Sequence, residues 1–300
     1  KPLLPEEPNA SNSDTGSDED NPNPRVVQLT SDPKIGDVIG DFEVLSKVAH
    51  GGMATVFRVR DLRDESTCAL KLLRPLAEVE ESRSRFRREF RALSRLQHPN
   101  VLKVFQWGLL ADRPWFTMEL VDGEDLRTEL NSWSILSPAE RFELVESILI
   151  QIARALDYIH ERGLVHRDIS PHNLMIAPGG DLKLLDFGIA KATELAEATS
   201  TGSLKGKCSY MSPEQCMGKR VDRRSDVFAL GIVLWELLVG ARLFKRDAEY
   251  ASMEAIVTGD FELPTSVRED LPYELDAVVS KALATDPNER WQSADEMRRA

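Results

Sequence analysis

Cysteine is scarce in this sequence. Cys68, Cys208 and Cys216 are its three, an odd number with neither metal-ligand spacing nor a disulfide framework, so a reducing, cytoplasmic setting is expected. Long hydrophobic runs are missing as well. The longest, residues 227–239, contains Glu236 and is too short to cross a bilayer, which predicts a buried helix and no membrane segment within this chain. Nothing at the N-terminus reads as a signal peptide. Positive charge is in deficit: 38 Lys and Arg against 50 Asp and Glu give a formal net charge of −12, a sign that repels phosphate surfaces and argues against non-specific binding to nucleic acid or anionic membranes. No internal repeat is apparent.

What is present suffices for a globular protein. With 300 residues, 42% of them hydrophobic, the chain can bury one sizeable core or two adjoining smaller ones. Residues 1–24 are rich in Pro, Asn, Ser, Asp and Glu, and regular structure is expected only from about Ile35, so residues 1–34 read as a disordered acidic tail. A start at Lys1 rather than Met, and a stop at Ala300 inside a helical pattern, predict a piece cut from a longer protein. Strands are expected over residues 42–48, 55–60 and 68–73, then a helix over 83–96, where Phe86, Phe90, Leu93 and Leu96 recur at three- and four-residue spacing. Two further strands are expected over 101–107 and 115–120. Beyond Gly123 the pattern turns helical, with Pro138 opening a long helix over 139–162 and Gly163 ending it.

The chemistry lies in motifs. His166-Arg167-Asp168-Ile169-Ser170-Pro171-His172-Asn173 is followed, after twelve residues, by Asp186-Phe187-Gly188. Two carboxylates and a carboxamide at this spacing suit magnesium-assisted phosphoryl transfer, which needs positioning and charge neutralisation more than covalent chemistry. Upstream, the turn Ala49-His50-Gly51-Gly52-Met53-Ala54-Thr55-Val56 lets backbone amides approach phosphate oxygens at its glycines, and the next strand carries Ala69-Leu70-Lys71. A lysine in an apolar strand needs a partner. Glu89, beside the core-facing Phe86, Phe90 and Leu93, is the expected one.

Together these motifs resemble those of protein kinases. The details Gly51-Gly52-Met53 and Tyr210-Met211-Ser212-Pro213-Glu214-Gln215 are most similar to bacterial serine/threonine protein kinases of the eukaryotic-like (Hanks) type. The resemblance covers nearly all of residues 35–300. It implies an α+β, two-lobed protein kinase fold: an N-lobe over 35–121 with a small antiparallel sheet and one helix, and a larger, mainly helical C-lobe over 122–300. It implies ATP and Mg2+ as cofactors. Asp168 would be the base that orients the substrate hydroxyl, Asn173 and Asp186 the metal ligands, and Lys71, held by Glu89, the contact to the α- and β-phosphates. Val48, Ala49, Gly51, Gly52 and Val56 would cover the nucleotide from above. Ala69, Met118, Glu119, Val121 and Met175 would bound the adenine, with Met118 gating the deeper pocket. Asp226 would accept amides of the catalytic loop, and Arg290 would pair with Glu214. Arg167 precedes the catalytic Asp, which implies control by phosphorylation, at Thr199 and Thr201.

Two positions depart from the family pattern. The lysine usual two residues after the catalytic Asp is Ser170, and the threonine usual after Gly206 is Lys207. Lys207 is expected to restore the lost charge from the other side of Asp168, which makes it a candidate catalytic residue. The activity expected is transfer of the γ-phosphate of ATP to serine and threonine, rather than tyrosine, hydroxyls of proteins, with autophosphorylation and dimerisation in its course. The runner-up is a nucleotide-binding pseudokinase scaffold, and phosphorylation of a small molecule stands third.

Overall fold

The structure, a computed structural model, describes residues 32–51, 54–75, 79–186 and 208–300. The acidic tail expected over 1–34 falls almost wholly outside the described residues. The strands β1 (Val38–Ile39), β2 (Phe42–His50), β3 (Ala54–Asp61), β4 (Thr67–Leu73), β5 (Val104–Leu110) and β6 (Arg113–Met118) form one antiparallel sheet in the order β1-β2-β3-β4-β6-β5. Helix α1 (Val79–Leu93) packs on it through Phe86 and Phe90, whose rings lie 5.8 Å from Trp107 and 6.3 Å from Phe116.

The apolar spacing that predicts a helix to residue 96 holds, since Leu96 is buried, but the backbone leaves the helix after Leu93 in a turn closed by Leu96 N–H to Leu93 O, 3.0 Å. The strand expected over 101–107 is divided between two sheets. Val101 bridges in parallel to Leu184 and Leu102 N–H donates to Leu184 O, and only from Val104 does the chain join β6. Both sets of residues are apolar, so no change of pattern marks the switch.

A second antiparallel sheet, in the order β7-β8-β9 and not foreseen in the sequence, comprises β7 (Glu124–Asp125), β8 (Leu174–Ile176) and β9 (Leu182–Leu184). Among the described residues, the α-helices that follow β7 are α2 (Leu126–Ser132), α3 (Pro138–His160), α4 (Pro213–Cys216), α5 (Arg223–Val239), α6 (Glu249–Thr258), α7 (Pro264–Val267), α8 (Glu274–Ala282) and α9 (Ala294–Arg299). Helix α3 starts where Pro138 predicts, at a capping box in which Ser137 and Glu140 bond reciprocally (3.3 and 2.9 Å), and it stops before Gly163, whose φ of 73° lies in the left-handed region. Helix α5 opens earlier than its apolar run. Asp222 caps it by accepting from Arg224 N–H (2.9 Å), so Asp226 lies within the first turn, and every residue from Ser225 to Leu238 is buried. That burial makes α5 the axis of the helical part, packed by α3, α7, α8 and α9.

Candidate active site

Sheet register gathers several of the expected nucleotide contacts. Val56 opposes Lys71, Ala69 opposes Met118 and Lys71 opposes Phe116. Residues two apart on a strand share a face, so Val56, Ala69, Lys71 and Met118 are neighbours on one face of the larger sheet. Ala49 pairs with Val56, Val48 falls in a register shift of β2 and is 56% exposed, and Gly51 N–H closes the turn onto Ala54 O at 2.9 Å. Gly52 lies outside the described residues. Met175 belongs to the other sheet, opposite Asp125 and Lys183.

The link between the two sheets is residues 119–123. Glu119 donates its N–H to Lys103 O (2.9 Å) and its carboxylate pairs with Lys183 at 2.7 Å, whereas Val121 makes no backbone hydrogen bond among the described residues. Such a backbone is available to a ligand with a donor and an acceptor side by side. Gly123 is required here: a Cβ would lie 2.2 Å from Ile176 O on β8.

The catalytic-loop sequence hangs from α5. Asp226, 1% exposed, accepts from His166 N–H and Arg167 N–H, each at 2.8 Å, and from His160 Nε2, also 2.8 Å. His166 has its Nε2 2.7 Å from Leu185 O and its Nδ1 3.3 Å from Asp168 N, so Nε2–H donates, Nδ1 accepts, and the ring is neutral. Burial, outweighing nearby Asp226, holds its pKa below the usual histidine value. Arg167 (φ 65°) and Asp186 (φ 46°) take left-handed conformations, strain that persists where surrounding contacts enforce it. For Arg167 those contacts are its N–H to Asp226 and its carbonyl, which accepts from Gln215 Nε2 at 3.0 Å.

Lys71 forms its ion pair with Asp186. Glu89, the expected partner, is half-buried on α1, but the carboxylate that Lys71 reaches is that of Asp186, one residue beyond Leu185, whose own N–H is held by Asn173 O (2.8 Å). Asn173 Nδ2 donates to Asp168 O at 2.7 Å, which fixes the amide so that Oδ1 remains as an acceptor. Asp186 gives Oδ1 to Lys71 and keeps its second oxygen. Hard oxygens of a carboxylate and an amide fit magnesium. Lys207, Thr199 and Thr201 lie outside the described residues.

Glu214 on α4 meets a fully buried Arg290. The guanidinium donates to both carboxylate oxygens at 2.8 Å and to the carbonyls of Ala284 (2.7 Å), Arg224 and Thr285 (both 3.1 Å), which satisfies all five donors. Burial pushes the Glu214 carboxyl up, but hydrogen bonds from Arg290 and Ser225 prevail and hold it below its usual value. Sequence reasoning missed the role of a further buried carboxylate. Glu236, in the middle of α5, receives Arg127, the Tyr210 hydroxyl (2.8 Å) and Leu243 N–H (3.2 Å). A lone acid in an otherwise apolar run was the available signal. Burial raises the Cys68 thiol to about 11 and the Cys216 thiol to about 12, so neither serves as a thiolate.

The model of the protein kinase domain matches residues 42–299. The chain belongs to the protein kinase family. Within it, the kinase falls among bacterial relatives of the Hanks type. It is 37% identical over 268 residues to the tyrosine-protein kinase MasK of Myxococcus xanthus, covering 85% of this chain and 42% of MasK. It is 36% identical over 263 residues to the serine/threonine-protein kinase PrkC of Bacillus subtilis, covering 87% of this chain and 40% of PrkC. The crystal structure of the Mycobacterium tuberculosis PknI kinase domain superposes with a TM-score of 0.69 at 30% identity, over 89% of this chain and 97% of that one. The kinase thus spans less than half the length of those curated relatives, and has the sheet-based N-lobe and helical C-lobe of the fold. No helix among its described residues is long and apolar enough to cross a membrane.

Proposed function

We propose that this kinase transfers the γ-phosphate of ATP to serine and threonine hydroxyls of proteins, its own Thr199 and Thr201 included. The observation that carries the reading is the Lys71–Asp186 ion pair beside the hydrogen bond from Asn173 to the Asp168 carbonyl, which gathers a cation on β4 with residues that lead into β8 and follow β9. In this reading Asp168 orients the acceptor hydroxyl and takes its proton as the new P–O bond forms and the bond to the β-phosphate oxygen breaks. Lys71 holds the α- and β-phosphates. Asn173 Oδ1 and the second oxygen of Asp186 hold magnesium, which when bound neutralises charge on the transferring phosphoryl group. The backbone of Glu119 and Val121 receives adenine between Val48, Ala49, Val56 and Ala69 above and Met175 below, with Met118 at the back, Gly51 and Gly52 over the phosphates, and the lobes meeting at 121/122. Glu89 steadies Lys71 when α1 is docked. Lys207 supplies the charge that Ser170 lacks. The setting is cytoplasmic, with two copies meeting during autophosphorylation.

The test is transfer of labelled γ-phosphate, comparing the chain with Asp186→Asn, followed by phosphoamino-acid analysis. Label on Ser or Thr that disappears in the variant supports the reading. Label on Tyr would align the chain with the name of its Myxococcus relative. Ser170 favours a second reading, a nucleotide-binding scaffold, and ATP binding without transfer would establish it.

A further inference from the structure

The surroundings of Glu236 bear on which proteins this kinase selects, an inference that rests on the activity proposed above. Its side chain is 0% exposed, and a buried carboxylate needs a cation. It has two. Arg127 pairs with Oε2 and donates to the Tyr210 hydroxyl (2.7 Å), while Arg242 Nε lies 3.7 Å from Oε1 and its guanidinium 5.3 Å from the centre of the Tyr210 ring. One positive charge compensates the carboxylate, and one is left over. Arg242 makes no hydrogen bond within 3.5 Å among the described residues: its Nε is buried without a partner, while the side chain as a whole is 27% exposed.

The cluster stands beside the acceptor end of the site. Arg127 lies on α2, two residues after Asp125, whose carboxylate is 3.6 Å from His172 Nδ1 in the catalytic loop. On the other side, Tyr210 leads through Ser212 to Gln215, which bonds the carbonyl of Arg167, the residue before Asp168. A peptide whose hydroxyl reaches Asp168 therefore carries its neighbouring residues along the wall formed by α2, Tyr210 and Arg242. We propose that Arg242, with Arg127 behind it, selects substrates that carry a carboxylate side chain near the acceptor hydroxyl, and that Glu236, already neutralised, cannot recruit a basic one.

Peptides with one Thr acceptor and Glu, Gln or Lys scanned through the flanking positions test this, each kcat/KM being compared within one protein. At one position Glu should exceed Lys by about 5-fold, the scale of a partly exposed ion pair. Arg242→Gln should bring that ratio near one and Arg242→Glu should turn it towards Lys, an inversion that loss of packing alone would not produce. Equal use of Glu and Lys by the unaltered chain, or an unchanged ratio in Arg242→Gln, would overturn the proposal. Affinities of the same peptides with Ala for Thr, read by fluorescence anisotropy, separate the two ideas: a Glu preference in binding without phosphoryl transfer would sink the activity and keep the selectivity, and its absence would sink the selectivity.

Discussion

At the scale of single residues, the kinase depends on a few side chains held by their neighbours rather than by their own preferences. Asp168 follows a buried, neutral His166, whose ring bonds Leu185 O on one side and faces the Asp168 N–H on the other. Since burial lowers the His166 pKa below 6.5, the unfolded state binds the extra proton first. Its contribution to stability is complete above pH 6.5 and declines as pH falls towards the folded value. Urea midpoints measured from pH 7.5 down to pH 5.5 should therefore decrease, and a flat profile would contradict a neutral His166. Gly123→Ala should cost about 1–3 kcal/mol in urea denaturation, because its Cβ would meet the Ile176 carbonyl. Of the residues expected from sequence, Lys71, Asp168, Asn173 and Asp186 announce themselves by type and spacing. The partner of Lys71 did not, because two carboxylates, Glu89 and Asp186, both satisfy the rule that a strand lysine needs an acid, and only three-dimensional placement chooses between them.

At the scale of elements, α4 and α9 give contrasting cases of ion pairing. Arg290→Leu strands Glu214 in a dry site and should cost about 3–5 kcal/mol, whereas Arg299→Ala, whose side chain is 72% exposed on α9, should change stability by less than about 0.5 kcal/mol, both read by denaturant unfolding. Glu214 also sets an acid limit. Its folded pKa lies below the ordinary 4.5, so its stabilisation is present above pH 4.5 and is lost as pH falls through the folded value, a loss that Glu214→Gln should abolish. Long periodic helices such as α3 were legible because a cap, a period and a glycine agree. The β7-β8-β9 sheet was not, since strands of two and three residues carry too few positions for a period to appear. The start of α5 was misjudged for a related reason: its first turn is polar, and the cap at Asp222 lies outside the apolar run.

At the scale of the whole molecule, the two sheets and the helical part come together at Lys71, Asp186 and Asn173, so ligand binding there should be felt as stability of the folded chain. ATP with magnesium at 100 times its dissociation constant should stabilise the protein by about 2.7 kcal/mol, and Asp186→Asn should remove the magnesium-dependent part of the rise in Tm. A rise that ignores both the metal and the substitution would place the nucleotide elsewhere. The fold class was readable as a whole because its motifs are spread over both lobes. The pairing of Glu236 with Arg127 was not, since the two are separated by 109 residues of chain. One arrangement reaches further than the site itself. His166 and Arg167 belong to a loop, yet their amides are bonded to Asp226 on the most buried helix. Their hydrogens should exchange with deuterated solvent at the pace of the α5 core, by unfolding of the helical lobe, and not at the pace of a surface loop. The segment proposed to meet the substrate would then be among the last in the protein to open.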